Sequence, residues 1–275
     1  MKRQDRAQGE AGSLPRPATD HEDIHGVRGE NESAKTVLTI RSHSGLSGDM
    51  FLAGMLRLTE MGGEELSGLL GSILPGLADA VRLDRGQVQG VGGWRARMYL
   101  PRQHEHRRLA DIEGLLGGSA LSVRARELAL ATFALLAGAE GRVHDIAPEE
   151  VYFHEVGALD SIIDVALGCE LFCRLAPDVF TVSPLPVADG EISCAHGILP
   201  SPAPAVLELL AGIPLRPFAG QGETVTPTAI ALLRSLGAIF GPWPAMCVQR
   251  QALVYGAREF PGVANGAVFA YGPLC

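Results

Sequence analysis

Short β-branched segments alternate with longer segments of helical periodicity along most of this chain. The first unit begins at Thr36, where TVLTIRS predicts a strand, SGLSGDM a glycine-rich turn and FLAGMLRLTEMG a helix. Two later helices are predicted to begin at a proline, in PAPAVLELLAG and in TPTAIALLRSLG, where Thr226 is the predicted N-cap. Because strands and helices interleave, we predict an α/β or α+β fold with a mixed β-sheet and flanking helices.

Composition divides the chain into a tail and one main domain. Residues 1–35 are polar and lack the apolar segment of a signal peptide, so we predict a disordered tail followed by a single domain at 36–275. The net charge of −8 disfavours nucleic-acid binding, and no apolar run is long enough for a membrane helix. Five scattered cysteines form no disulfide framework, which favours a cytoplasmic protein.

The segment VYFHEVGALDSIIDV places four polar groups among apolar residues. Asp160 and Asp164 lie four residues apart, on one face of the predicted helix, and His154 and Glu155 directly precede it. This set suits a divalent cation or a paired acid–base site. The alternative is structural: Asp160 caps the helix, Asp164 is exposed and His154 is a core residue.

Two further segments have the composition of anion-binding helix starts. SGLSGDM contributes Ser44, Gly45, Ser47 and Gly48, whose small side chains allow backbone N–H groups to approach an anion, and Asp49 could hold a metal beside it. It lacks the Lys-Ser/Thr of a P-loop. In TPT, Thr226 and Thr228 could bind an anion, although helix capping alone also explains them.

Two short motifs offer metal ligands at a spacing of two residues. His104 and His106 share a face if the chain is extended there, and Arg107 next to them could meet an anionic ligand. Cys194 and His196 combine a thiolate with an imidazole, which suits zinc, nickel or copper. Polar surface loops remain the alternative for both motifs.

Taken together, the motifs resemble one family. SGLSGDM, HEHRRLADI, HEVGALDSIIDV, CAHGILPSPAPA, ETVTPT and VYGAREF occur in this order over residues 37–271. This series is similar to the nickel insertion protein of the lactate racemase system (LarC). The resemblance implies a nickel chelatase, a metal-inserting enzyme of the lyase class, which acts on pyridinium-3,5-bisthiocarboxylic acid mononucleotide.

The resemblance also implies ligands and roles for particular residues. The expected cofactors are nickel and cytidine triphosphate with Mg or Mn, the latter bound through a C-terminal domain into which the family continues. We therefore expect this chain to match the N-terminal portion of the family's proteins. The expected partners are a phosphorylated pyridinium substrate and a separate nucleotide-binding chain, and a homo-oligomer is an open alternative. The predicted catalytic residues are His154, Glu155 and Asp160. The predicted metal ligands are His104, His106, His154, Glu155, Asp160, Asp164, Cys194 and His196. The predicted cofactor-binding residues are Ser44, Gly45, Ser47, Gly48, Asp49, Arg107, Thr226 and Thr228.

Two other functions stay open at this point. Residues 41–43 read Arg-Ser-His where the family commonly has Asp-Cys before Ser-Gly, so a different small-molecule enzyme without nickel could use the same scaffold. A non-catalytic nickel-binding protein would also explain the His pair and the Cys-x-His motif.

Overall fold

A computed structural model describes residues 34–101, 107–153, 156–194, 196–258, 260 and 262–275. The predicted tail lies outside the described residues up to position 33, and so do His104, His106, His154 and Glu155. Residues Ala34–Cys275 form one unit.

A mixed seven-stranded sheet organises the domain, which confirms the predicted sheet type. Its order is β11-β6-β1-β13-β12-β3-β2, with β6 parallel to β1 and β13 antiparallel to it. Three two-stranded pairs, β10-β7, β4-β5 and β8-β9, lie outside this sheet. The strands are β1 (Thr36–Ser42), β2 (Val81–Val88), β3 (Val91–Met98), β4 (Arg107–Arg108), β5 (Tyr152–Phe153), β6 (Val179–Val182), β7 (Leu185–Val187), β8 (Glu191–Cys194), β9 (Gly197–Pro200), β10 (Leu215–Pro217), β11 (Ile239–Phe240), β12 (Arg250–Val254) and β13 (Ala267–Pro273).

The helices pack on the sheet and on one another. Helix α1 contacts β3, β12 and β13, helix α5 packs on α1, and helix α4 contacts α5, α6 and α7. The described helices are α1 (Gly48–Thr59), α2 (Gly63–Ile73), α3 (Leu109–Gly117), α4 (Val123–His144), α5 (Leu159–Leu175), α6 (Pro204–Leu210) and α7 (Pro227–Ser235), with one 3-10 turn at Pro148–Glu150. Helix α5 lies in the core, where Ile162, Ile163 and Val165 are all fully buried. In the described part of the chain, no helix is long and apolar enough to cross a membrane.

Five strands of the sheet run in the same direction, and three of them, β1, β3 and β12, bring the segments that follow them to one edge. Strands β1 and β12 are both antiparallel to β13, and β3 pairs with β12 in parallel through Trp94 and Val254. The carboxyl ends of β1, β3 and β12 therefore face the same side. In sheets of this kind, ligands bind in the crevice outside such carboxyl ends.

Candidate functional site

A cavity of about 510 Å³ lies at this carboxyl edge, and we call it the carboxylate pocket. Its volume falls in the range of small-molecule sites, about 300–1,000 Å³. Five segments of the chain line it: the loop and first turn after β1, the end of β3, the start of α5, the start of α7 and the segment after β12. The lining residues are Ser44, Gly45, Ser47, Gly48, Asp49, Met50, Ala96, Met98, Val156, Asp160, Ser161, Asp164, Glu223, Thr224, Thr226, Pro227, Thr228, Gly256, Ala257, Arg258, Phe260 and Asn265.

Backbone hydrogen bonds fix the SGLSGDM loop against the loop before α7. Leu46 N donates to Thr224 O at 3.0 Å, and Thr226 N donates to Leu46 O at 3.1 Å. Gly45 is required here, because a Cβ at this position would lie 2.0 Å from Thr224 O. The two loops therefore hold the starts of α1 and α7 side by side at the pocket.

Three helices begin at the carboxylate pocket. Helix α7 is capped as predicted, with Thr226 Oγ1 accepting a hydrogen bond from Ala229 N at 3.3 Å. Within the described chain, Ser47 and Ala158 precede α1 and α5 without a side-chain cap. In both helices a first-turn carboxylate takes part of this role, since Asp49 accepts from the Met50 amide and Asp160 Oδ1 accepts from Ser161 N at 2.8 Å. The N-cap of α5 is Ala158, so the structural alternative that assigned this role to Asp160 is wrong.

Asp164 is the most constrained acid in the pocket. It is only 7% exposed, which overturns the alternative that placed it in solvent, and its Oδ1 has no hydrogen-bond partner among the described residues. Its side chain packs closely against the start of α1, since a Cβ on Gly48 would lie 2.5 Å from Asp164 Oδ2. Burial first, and then the charges of Asp49 and Asp160, raise the pKa of Asp164 well above its ordinary value.

Asp49 forms the second carboxylate of the pocket. Burial raises its pKa, although hydrogen bonds from the Ser47 hydroxyl and from the backbone amides of Met50 and Ala257 oppose the shift. Because Asp49 acts electrostatically on Asp164, the two acids are coupled, and this side of the pocket favours a proton or a cation.

Two other buried polar atoms in the pocket are left without partners. Ser44 Oγ and Asn265 Oδ1 belong to side chains that are 0% and 4% exposed, and neither atom meets a hydrogen-bond partner in the part of the chain that the structure describes. The Asn265 amide group donates to Arg258 O, which orients its oxygen. Buried polar groups are normally hydrogen-bonded, so these atoms and Asp164 Oδ1 can each form a hydrogen bond with a ligand in the pocket.

Arg258 supplies positive charge at the pocket. Its side chain is exposed and lines the cavity, while its Nη1 donates to Glu223 O at 3.0 Å. A guanidinium beside the loop that leads into α7 forms a suitable site for a phosphate.

The structure brings together most, but not all, of the predicted site residues. The residues that line the carboxylate pocket are Ser44, Gly45, Ser47, Gly48, Asp49, Asp160, Asp164, Thr226 and Thr228. Arg107 does not line this pocket; its Nη1 donates to Gly157 O at 2.8 Å and so supports the segment that leads into α5. Cys194 and His196 line a second cavity. His104, His106, His154 and Glu155 lie outside the described residues.

Sequence reasoning assigned no role to several residues of these cavities. Arg258 stands in VYGAREF, one of the motifs that carries the family resemblance, so a signal for it existed. Asn265 and His144 have no such signal, because only the fold brings them to a cavity. Among the described residues, no group of three or more His, Cys, Asp or Glu side chains is arranged to hold a metal ion.

Comparisons with known proteins assign the chain to a family. The model of the family described as "Nickel insertion protein" matches residues 38–269. A pyridinium-3,5-bisthiocarboxylic acid mononucleotide nickel insertion protein of Nocardioides is 37% identical over 84% of this chain and 58% of the relative. A putative nickel insertion protein of Pelobacter propionicus is 38% identical over 84% of this chain and 59% of the relative.

A third relative has the same name as the first. This pyridinium-3,5-bisthiocarboxylic acid mononucleotide nickel insertion protein, from Staphylococcus saprophyticus, is 34% identical over 82% of this chain and 58% of its own length. The chain thus spans somewhat more than half the length of these relatives. No solved structure matches it.

Proposed function

Since the chain belongs to the nickel insertion protein family, we propose that it inserts nickel into pyridinium-3,5-bisthiocarboxylic acid mononucleotide and binds this substrate in the carboxylate pocket. The observation that carries the proposal is the set of three unpartnered, buried polar atoms, on Ser44, Asp164 and Asn265, that line one cavity. The family match favours this function over an enzyme that acts without nickel and over a passive nickel carrier.

The charges of the pocket complement the two ends of such a substrate. Its phosphate would bind near Arg258 and the start of α7, where a guanidinium and backbone N–H groups favour negative charge. Its pyridinium ring is cationic and would lie against Asp49 and Asp164. The opposite orientation would bring a phosphate to two carboxylates, which repel it.

Asp164 is the proposed base. Forming a bond between nickel and a ring carbon displaces the ring proton, which a positioned base has to accept. A carboxylate whose pKa the fold raises accepts a proton more readily than an ordinary aspartate does. Asp49 would position the pair of carboxyl groups that it forms with Asp164 and would share the proton, because two buried carboxylates that interact do not ionise independently.

The proposal also includes the remaining nickel ligands, the nucleotide and the cellular compartment. His154 and Glu155 remain proposed nickel ligands and catalytic residues with Asp160. In sequence they directly precede Val156, which lines the pocket. Cytidine triphosphate with Mg or Mn is proposed to bind through a further domain or a separate chain, and a reducing, cytoplasmic compartment accords with the five free cysteines.

Equilibrium binding of the mononucleotide to the full chain tests the proposed site. We expect Asn265→Ala and Ser44→Ala to weaken binding by about tenfold or more, since a hydrogen bond to a charged group contributes about 1.5–3 kcal/mol. Asp79→Asn is the matched control, because Asp79 lines a different cavity beside α2. Absence of binding by a folded protein, or an equal loss in the control, would overturn the assignment.

A further inference from the structure

Two exposed cysteines lie side by side at the end of the sheet opposite the carboxylate pocket. Cys247 precedes β12, Cys275 follows β13, and their Sγ atoms are 2.7 Å apart. A covalent S–S bond is about 2.05 Å long, so a small rotation of the two side chains brings the sulfur atoms within bonding distance. The other three cysteines lie on different elements, Cys169 and Cys173 on α5 and Cys194 on β8.

Backbone hydrogen bonds hold the two cysteines in this position. Cys247 N donates to Pro273 O at 2.9 Å, and Cys275 N donates to Ala245 O at 3.1 Å. Gly272 permits the close approach of the two segments, because a Cβ at this position would lie 2.0 Å from Cys247 O. The proximity of the two thiols therefore follows from the pairing of the backbone on either side of them.

A bond between these two sulfur atoms would close a loop that contains part of the carboxylate pocket. From Cys247 to Cys275 the chain runs through β12, the pocket-lining residues Arg258 and Asn265, and β13. Strand β12 pairs with β13, which also pairs with β1 in the middle of the sheet. A cross-link at the open end of the β12–β13 pair would therefore hold both strands against the centre of the sheet.

We propose that Cys247 and Cys275 form an intramolecular disulfide when the chain meets a disulfide oxidant, and that this bond stabilises the β12–β13 pair. The two strands lead into and out of the segment with Arg258 and Asn265, so the redox state of two thiols acts on the strands that support pocket residues. In the reduced form the chain has five free thiols. This chemistry is independent of the proposed function, because neither cysteine lines the carboxylate pocket.

Two successive thiol–disulfide exchanges form the bond, with glutathione disulfide as the oxidant. One protein thiolate attacks glutathione disulfide, breaks its S–S bond and forms a mixed disulfide, which releases the first glutathione. The second protein thiolate attacks the protein sulfur of that mixed disulfide, which forms the Cys247–Cys275 bond and releases the second glutathione. The two protein thiols are oxidised, glutathione disulfide is reduced, and the two protons pass to the released glutathione thiolates.

Exchange of the full chain with glutathione disulfide, followed by peptide mapping, tests whether the bond forms. The exchange is run at about pH 8, because the reaction needs a thiolate and the hydrogen bond with Cys247 raises the pKa of the Cys275 thiol. We expect two of the five free thiols to disappear. In a non-reduced tryptic digest, peptides 235–250 and 259–275 should be joined, and dithiothreitol should separate them.

Thermal unfolding of the same samples tests what the bond does. Oxidation should raise the Tm by roughly 5 °C or more, because the bond closes a long loop of the unfolded chain. Cys247→Ser and Cys275→Ser should each lose the cross-link and the Tm shift, whereas Cys173→Ser and Cys194→Ser should keep both.

Two results would overturn this inference. One is an oxidised wild type that carries only glutathione adducts at Cys247 or Cys275, and the other is a cross-link that leaves the Tm unchanged. Mononucleotide binding by a protein that forms no cross-link would preserve the proposed function and refute the disulfide. A cross-linked, stabilised protein that does not bind the mononucleotide would do the opposite.

Discussion

Substitution of Gly48 by alanine tests the contact that positions Asp164. Gly48 is the first residue of α1, and a methyl group there would lie 2.5 Å from Asp164 Oδ2 and 3.1 Å from its Cβ. Both atoms belong to a buried side chain, so the substitution forces Asp164 or the start of α1 to move.

The contact geometry sets the expected magnitude. Overpacking a buried site costs about 1–3 kcal/mol, and the usual gain from replacing glycine in a helix is about 0.5–1 kcal/mol. We therefore expect Gly48→Ala to destabilise the fold by about 1 kcal/mol. Gly68→Ala is the control: this exposed glycine lies inside α2, nothing lies within 4 Å of its added Cβ, and the variant should be stabilised.

Thermal and urea unfolding of both variants provide the measurement. In a domain of this size, 1 kcal/mol corresponds to about 2–4 °C in Tm, so the two variants should lie on opposite sides of the wild type. In the double variant Gly48→Ala/Asp164→Ala, the loss should be smaller than the sum of the single losses by at least about 0.5 kcal/mol. If Gly48→Ala stabilised the protein as Gly68→Ala does, the reasoning about Asp164 would be refuted.

Three further predictions concern charge and capping at the pocket. Because the fold raises the pKa of Asp164, the native state holds this proton more tightly than the unfolded chain does. The free energy of unfolding should therefore fall as the pH rises above about 4. Urea unfolding between about pH 5 and pH 8 should show a smaller fall in the variant Asp164→Asn. Arg258→Ala should raise the Kd of the mononucleotide about 10- to 100-fold in calorimetry but leave that of a dephosphorylated analogue unchanged; equal losses would place the phosphate elsewhere. Thr226→Ala should cost about 1 kcal/mol of stability because α7 loses its N-cap. Ser122→Ala removes the N-cap of α4 and should cost about the same. The affinity for the mononucleotide should fall only in Thr226→Ala.

Much of the fold could be predicted because local patterns and long-range packing agree. The segment LDSIIDVALGCELFCRL forms α5 over its whole length, and Thr226-Pro227 begins α7 as capping chemistry requires. The short strands β4, β5, β10 and β11 were not predicted. Each has only two or three residues and forms through pairing with a distant segment, which leaves no periodicity in the sequence.

The candidate site was predicted in its parts but not in its arrangement. The sequence offers Asp164 and Cys194 as members of one metal site, whereas the structure places them in adjoining cavities. The spacing of Asp164 in the sequence is compatible with an exposed residue and with a metal ligand. It does not predict burial, because burial depends on the approach of α1 at Gly48. Asn265 and His144 reach the cavities only through sheet order and helix packing, which no local pattern encodes.

The most direct test of the nickel-insertion account is the appearance of nickel-bearing product, detected by absorbance and mass. The full chain would be mixed with nickel, the mononucleotide and cytidine triphosphate, together with a polypeptide matching the part of the Nocardioides relative that this chain does not span. We predict product with the wild type and with Asp79→Asn, and a loss of about 100-fold or more in rate with Asp164→Asn. Unchanged product formation by Asp164→Asn, or no product from any mixture that contains folded protein, would contradict the account.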